Sequence, residues 1–208
     1  MDWTQVSLFV AASLAVILTP GQDLLLVMSR AVSLGSRAGV ITASGVSFGL
    51  LGHSAVAALG LGAIILVSKS LFVCIKFVGA GYLFYLGVRL LFSKSQRFEL
   101  GIAPQISPMR LFLTGAFSNI SNPHVTIFYL AFLPQFIPGD AQNPTLNLLV
   151  LGISFALLTF IIKGPVGFYA GTLSLWLRSH PMVLKWIEST SGAILIGLGI
   201  KLVLAKRP

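Results

Sequence analysis

Charged residues are scarce in this chain, and their scarcity excludes most soluble folds. Asp, Glu, Lys and Arg make up only 9% of its 208 residues, 56% are hydrophobic, and the mean hydropathy is +0.94. A soluble domain needs about 25% charged residues to cover its surface. The composition therefore predicts an all-α membrane protein that crosses the lipid bilayer several times.

Cysteine and histidine are also rare, which limits the metal chemistry open to the chain. The single cysteine, Cys74, excludes an internal disulfide and any cysteine-based metal cluster. His53, His124 and His180 lie far apart in sequence, and no acid or cysteine completes a zinc ligand set with them. The sequence also lacks a glycine-rich phosphate loop, a Gly-x-Ser-x-Gly elbow and paired carboxylates. We therefore expect no metal, no cofactor and no enzymatic activity.

Acidic residues number only five against 14 Lys and Arg, so the net charge is +9. In a soluble chain this charge would suggest nucleic acid, but here the basic residues lie between apolar runs and indicate topology, so we expect no nucleic-acid partner. The first, third and fifth connectors should be cytoplasmic, with both termini outside, although the basic C-terminus argues against that sidedness. The basic residues at these connectors are Arg30, Arg37, Arg89, Lys94, Arg97, Arg110, Arg178 and Lys185.

Six apolar runs are long enough to cross a bilayer as helices. They lie at about 6–28, 38–67, 71–92, 111–137, 146–173 and 184–204. The first run is too long for a signal peptide and lacks a basic start, so it should remain in the mature protein. A polar connector, 93–110, separates 1–92 from 111–208. The chain is thus predicted to be a single polytopic membrane domain made of two three-span units.

The two units contain similar short motifs in the same order. Because each has an odd number of spans, the second unit must be inserted upside down. The sequence therefore predicts six transmembrane helices in a 3+3 inverted repeat, as in many secondary transporters, whose substrate site forms where corresponding broken helices meet. The matched motifs are Gly45-Val-Ser-Phe with Gly152-Ile-Ser-Phe, Gly87-Val-Arg-Leu with Gly199-Ile-Lys-Leu, and Pro20 with Pro123.

Pro20 and Gly21 break the first apolar run, and Asp23 follows them directly. Pro20 lacks a backbone N–H and should free the carbonyl of Val16. Asp23 is the only acid that we place well inside an apolar run. A carboxylate beside a broken membrane helix is a candidate for handling a polar substrate or ion, and Asp23 could accept and release a proton. We expect it to face a polar cavity.

The fourth run contains the corresponding break, Asn119-Ile-Ser-Asn-Pro, in which Pro123 should free the carbonyl of Asn119. Free carbonyls bind a cation or an ammonium group, while the helix starts after the breaks favour a carboxylate. Two such breaks would suit a zwitterionic amino acid. Alternatively, local serine and threonine side chains satisfy both breaks, which are then ordinary membrane-helix kinks.

Two further polar residues interrupt the apolar runs. Lys163 of the fifth run lies in the same cytoplasmic half of the membrane as Asp23, so the two could form an ion pair. Alternatively, the Lys163 side chain snorkels to the membrane interface. His53 could carry protons, or it could bond to a neighbouring helix. Two contrasting hypotheses stay open, a membrane-embedded enzyme using Asp23 and His53 as acid and base, and a passive channel for small solutes.

Two GxxxG patterns, Gly45 to Gly49 and Gly167 to Gly171, predict close contact between helices. The contact could be made within one protomer or between two protomers. A homodimer is therefore one expectation for this chain.

The motifs together resemble the lysine exporter (LysE/RhtB) superfamily, in particular its homoserine and threonine exporter branch, over essentially the whole chain. The signatures resembled are Thr19-Pro-Gly-Gln-Asp with Arg30, Gly35, Arg37 and Gly39, and Asn119 to Pro123 with Phe128-Tyr-Leu-Ala-Phe-Leu-Pro-Gln-Phe. The resemblance implies a bacterial inner-membrane protein that exports small amino acids or derivatives, driven by proton exchange. It departs at Gln22, where a second proline is common, and at His124, where lysine is frequent; Lys163 is also unusual.

These observations favour a secondary active transporter, with a small amino acid as substrate and protons as the coupling ion. The predicted substrate and ion site consists of residues from both breaks and from two neighbouring spans. Its members are Pro20, Gly21, Asp23, His53, Asn119, Asn122, Pro123 and Lys163.

Overall fold

A computed structural model describes residues 3–67, 69–92, 106–137 and 141–204 of the chain. The described part is 91% helical and contains no strand, which confirms the all-α prediction. Most of the predicted connector 93–110 lies outside the described residues. The helices are α1 (Trp3–Leu18), α2 (Gln22–Leu34), α3 (Ser36–Val67), α4 (Lys69–Leu91), α5 (Pro108–Ile120), α6 (Pro123–Phe132) with a 3₁₀ turn (Leu133–Phe136), α7 (Pro144–Phe168), α8 (Ala170–Ser179) and α9 (Pro181–Leu204).

Four helices are long and apolar enough to cross a membrane by themselves. Their candidate spans are Ser36–Gly62, Val73–Leu91, Pro144–Phe168 and Met182–Leu204. α1 and α2 form a fifth candidate, bent by 55° at the break between them. The described helices therefore give four or five candidate spans, so the six-span inverted repeat is not confirmed. α5 and α6, where the fourth span was predicted, are short and are not among these candidates.

α3 is the central helix and packs most extensively against α7 and α5, while α4 packs against α9. Glycines permit these close approaches, since a Cβ at Gly39 would lie 2.6 Å from the carbonyl oxygen of Gly167. Gly45 and Gly49 lie against α5, where an added Cβ would meet the backbone of Phe112 and of Ala116. Three of the four GxxxG glycines therefore serve contacts within the protomer. Gly171 is the exception, because a Cβ there would meet no described atom within 4 Å.

The main core is rich in aromatic rings that pack against one another, contributed by α1, α6, the 3₁₀ turn and α7. The ring centroids of Phe128 and Phe132 lie 4.6 Å apart, and those of Phe132 and Phe136 lie 4.8 Å apart. Phe9 and Phe155 complete the group, and all five rings are buried. Phe128 and Phe155 of this group also line a cavity beside the helix breaks.

Candidate functional site

The two predicted helix breaks lie against each other. The side-chain amide of Asn119, on the last turn of α5, donates to Oδ2 of Asp23, on the first turn of α2, over 2.8 Å. Beside it, Nε2 of Gln22 donates to Oγ of Ser118 over 3.4 Å. Since these pairs are separated by 96 residues in sequence, the contact depends on the packing of α2 against α5.

Lys163 forms the ion pair with Asp23 that the sequence suggested. Its Nζ lies 3.4 Å from Oδ2 of Asp23, and the two residues are 7% and 8% exposed. Lys163 therefore does not snorkel to the interface. The other carboxylate oxygen of Asp23, Oδ1, is buried and has no hydrogen-bond partner among the described residues. A buried pair is well stabilised only when its remaining polar atoms are also satisfied, so this pair is incomplete.

The backbone carbonyl at the second break is satisfied by neighbouring groups, contrary to the expectation of a free carbonyl, whereas the side-chain Oδ1 of Asn119 is buried without a partner among the described residues. The carbonyl of Asn119 accepts from the N–H of Asn122 over 3.0 Å and lies 3.1 Å from Nε2 of His53. Because a carbonyl oxygen can only accept, Nε2 of His53 must be the donor. Asn122 also caps α6, since its side-chain oxygen accepts from the N–H of His124 over 3.0 Å, and Pro123 takes the first helical position.

The first break also differs from the expectation, because the carbonyl of Val16 accepts from the N–H of Thr19 over 3.3 Å. The Thr19 hydroxyl donates to the carbonyl of Ala15 over 2.7 Å. After Pro20, Gly21 is the N-cap residue of α2, and it offers no side-chain cap. The first backbone N–H groups of α2 therefore have no side-chain cap from the described residues, and the positive end of the helix dipole remains available to an anionic ligand. Of the two helix starts expected to favour a carboxylate, only this one is uncapped.

A cavity of about 180 Å³ adjoins the first break and the ion pair. By volume it is comparable to the roughly 150 Å³ protein cavity that holds benzene. Gly21, Asp23, Asn122 and Lys163 of the predicted site line it. Asn119 does not line the cavity but holds Asp23, His53 in turn contacts Asn119, and Pro20 and Pro123 lie at the breaks. The polar lining also includes Thr19, Gln22, Tyr82, His124 and Thr159, and the apolar lining is Val16, Ile17, Leu24, Leu50, Leu86, Leu90, Val125, Phe128, Phe155 and Leu195.

Several polar residues near this site were missed by sequence reasoning. Thr159 lies one helical turn before Lys163, a spacing that places both on one face of α7 and could have revealed it. Tyr82 donates to the carbonyl of His124 over 3.1 Å, but in sequence it looks like a lipid-facing aromatic. The statement that Asp23 is the only acid well inside an apolar run is wrong. Glu188 of α9 is 3% exposed, within the helix predicted as the sixth span.

The structure gives no support to the pairing of Asp23 and His53 as acid and base. Among the described residues the two have no direct contact, and both instead contact Asn119. Asp23 accepts from the Asn119 side chain, whereas His53 binds its backbone carbonyl. Of the two residues, only Asp23 lines the cavity.

Comparisons with known proteins agree with the sequence motifs. Residues 14–206 match the family model for LysE type translocators. The membrane protein YrhP of Bacillus subtilis is 31% identical, with 93% of this chain and 95% of that protein covered. A leucine efflux protein of an Enterobacter species is 26% identical, with 96% and 93% covered. No solved structure matches. The chain therefore belongs to the LysE type translocators of the LysE/RhtB superfamily, and is a multi-pass membrane protein.

Proposed function

We propose that this protein exports a small neutral amino acid across the bacterial inner membrane in exchange for protons. The observation that carries the proposal is the buried ion pair of Asp23 and Lys163, which lines a cavity at the junction of two broken helices. Buried ionisable residues at such junctions mark substrate and ion pathways in membrane proteins. Leucine is the first substrate to test, because one relative is a leucine efflux protein.

The chemistry of the cavity favours an amino acid over other small solutes. It presents one carboxylate and one ammonium group, whereas most of its remaining lining is aliphatic or aromatic. A solute with both charges and a small apolar body matches all three features. The small volume of the cavity favours a single amino acid over a peptide.

Asp23 is the group that we assign to proton coupling. Its carboxylate is buried in a membrane-spanning protein and is held by only one amide and one ammonium group among the described residues. Protonation would remove its attraction for Lys163 and for a substrate ammonium group. A proton entering from outside would thereby help to release the substrate there.

Helix directions support six spans even though α5 and α6 are short. Gly39 lies close to Gly167 and Gly62 lies close to Thr145, so α3 and α7 run antiparallel. α4, as the next full span after α3, must also run opposite to α3. Since α4 and α7 then run in the same direction, the chain has to cross the membrane once between them. We assign that crossing to α5 and α6 together.

The packing of α4 against α9 supports the inverted repeat. The sequence motifs match Gly87 with Gly199, and the same spacing matches Ala80 with Gly192. A Cβ at Gly87 would lie 2.7 Å from the Gly192 carbonyl oxygen, and a Cβ at Gly199 would lie 3.0 Å from that of Ala80. Replacing each residue of the first contact by its match in the other repeat gives the second contact. A two-fold axis that relates the two repeats requires this correspondence.

Countertransport of radiolabelled leucine in sealed proteoliposomes tests the proposal, with a pH gradient imposed or absent. We expect saturable exchange that the gradient drives in the native protein and not in Asp23→Asn. Saturable exchange of other neutral amino acids, but not leucine, would change the substrate within the same proposal.

Two results would instead favour the contrasting hypotheses. Flux without saturation or countertransport would indicate a passive channel. Chemical turnover of the solute by detergent-solubilised protein, without any gradient, would indicate a membrane-embedded enzyme. If gradient-driven exchange were equal in the native protein and in Asp23→Asn, Asp23 would have no role in coupling.

A further inference from the structure

We propose that Asp23 and Lys163 are an internal counter-ion pair that the substrate replaces. In this exchange the substrate's ammonium group binds Asp23, and its carboxylate binds Lys163. The inference rests on the proposed function and deepens it by assigning each charged group of the substrate to one residue of the pair. The substrate must therefore carry both an amine and a carboxylate.

The pair is held loosely enough to be replaced. Its single contact is 3.4 Å long, and Oδ1 of Asp23 has no partner among the described residues. A buried ion pair offsets its desolvation only when the geometry is good and the remaining lone pairs are satisfied. A ligand that brings both opposite charges into the cavity can therefore compete with the internal pair.

The two partners differ in how firmly they are fixed. Asp23 is held by the Asn119 amide over 2.8 Å in addition to Lys163. Within the described residues, Asp23 is the only hydrogen-bond partner of Lys163. Lysine also carries its charge on a flexible four-carbon stem. Asp23 therefore stays in place when the substrate enters, and the Lys163 ammonium group moves.

The lining next to the pair fits the rest of such a substrate. Gln22 and Gly21, at the uncapped start of α2, lie at the same cavity, so a carboxylate on Lys163 would lie near a positive helix end. Leu86 and Val125 supply apolar surface for an aliphatic side chain. A substrate with a third charge would leave that charge unpaired in an apolar cavity, which is unfavourable.

The net charge of the site explains why both groups on the substrate are needed. Asp23 and Lys163 together are neutral, and a zwitterion adds no net charge when it replaces their contact. An amine without a carboxylate leaves Lys163 as an unpaired buried cation, while an acid without an amine leaves Asp23 as an unpaired buried anion. Either case costs far more than in water, because the low dielectric does not screen the charge.

Binding of three ligands with the same side chain tests this inference on purified protein in detergent. The ligands are leucine, isopentylamine, which lacks the carboxylate, and 4-methylpentanoate, which lacks the amine. The native protein should prefer leucine to both analogues by about tenfold or more. Lys163→Met should shift the preference toward isopentylamine by about tenfold, and Asp23→Asn should shift it equally toward 4-methylpentanoate.

Two further variants separate a charge-pairing role from a structural one. Lys201→Met removes an exposed lysine of α9 and should leave the native preference unchanged. Lys163→Arg keeps the cation and should also retain the preference for leucine. The inference is overturned if Lys163→Met lowers the affinity for all three ligands by the same factor. It is also overturned if neither Lys163→Met nor Asp23→Asn changes the preference among them. The proposed function fails separately, if the native protein exchanges no neutral amino acid in proteoliposomes.

Discussion

The two helix breaks differ in whether their unsatisfied polar groups lie at the cavity. At the second break, Asn122 caps α6 and His53 donates to the carbonyl of Asn119. At the first break, α2 starts after Gly21 without a side-chain cap, and Oδ1 of Asp23 lacks a partner, within the described part of the chain. Oδ1 of Asn119 at the second break is also buried without a partner among the described residues, but Asn119 does not line the cavity. The second break thus acts as a support, whereas the first presents unsatisfied groups beside the cavity.

This difference indicates which half of the site meets the substrate. An unsatisfied polar group inside a membrane costs several kcal/mol. At Asp23 a ligand can offset this cost, because Asp23 lines the cavity. Asn119 joins the two breaks, because it belongs to the second one and holds Asp23 of the first. Substitutions at the two breaks should therefore disturb the support and the binding half separately.

Breaking the ion pair should have the largest effect on stability. Lys163→Met leaves the buried Asp23 carboxylate without its cation, and loss of one partner of a buried pair costs about 3–5 kcal/mol. Asp23→Asn combined with Lys163→Met removes both charges and should recover much of this loss. Unfolding in detergent measures all three variants as a double-mutant cycle. A double variant no more stable than either single variant would contradict the pairing.

A methyl group on α3 should disturb the link between the breaks. A Cβ at Gly49 would lie 2.9 Å from the Cβ of Asn119, so Gly49→Ala pushes the amide that holds Asp23. We expect a destabilisation of about 1–3 kcal/mol and a loss of leucine exchange. Gly60→Ala is the matched control on the same helix, because a Cβ there meets no described atom within 4 Å. Equal transport by both variants would show that Asn119 does not position Asp23.

His53 should act through its N–H donor and not through a change of charge. His53→Leu removes the donor to the Asn119 carbonyl, at a cost of about 1 kcal/mol, because the N–H of Asn122 still binds that oxygen. His53→Gln keeps a donor that does not titrate, so it should retain proton-driven exchange. Transport assays across a pH gradient distinguish the two roles. A stable His53→Gln protein without gradient-driven exchange would make His53 a proton carrier.

Capping the first break should have the smallest effect on stability but a clear effect on transport. Gly21 has an extended backbone, and a Cβ there would lie 3.9 Å from the nearest described atom, so serine fits. Gly21→Ser supplies a cap to α2 and should raise stability by a few tenths of a kcal/mol. It should weaken leucine binding, because the cap competes with the substrate carboxylate. Unchanged leucine affinity in a titration would remove the α2 start from the site.

Local chemistry made both breaks and most of the helices predictable from sequence. Pro20 with Gly21, and Asn122 with Pro123, are helix-ending signals that act within a few residues. The contact between Asp23 and Lys163 could also be predicted from the sequence, because the depths of the two residues in their spans could be compared. The fourth span was harder, since α5 and α6 are each too short to qualify alone.

The errors concern groups whose partners come from elsewhere in the fold. The carbonyl of Asn119 looked free because Pro123 removes its usual donor, but His53 of α3 reaches it in the folded chain. The Asn119 side chain could not be matched with Asp23, because that contact depends on how α2 packs against α5. Glu188 was overlooked since burial near the start of a helix depends on its neighbours and not on local pattern.

Protection of an introduced cysteine tests most directly whether substrate binds between the two breaks. In a Cys74→Ser background, Val125→Cys places a thiol in the cavity lining, while Met182→Cys places one at an exposed position of α9. Leucine at about ten times its Kd should slow N-ethylmaleimide labelling of the first thiol by about tenfold and leave the second unchanged. Equal labelling rates with and without leucine at both positions would contradict a substrate site at this junction.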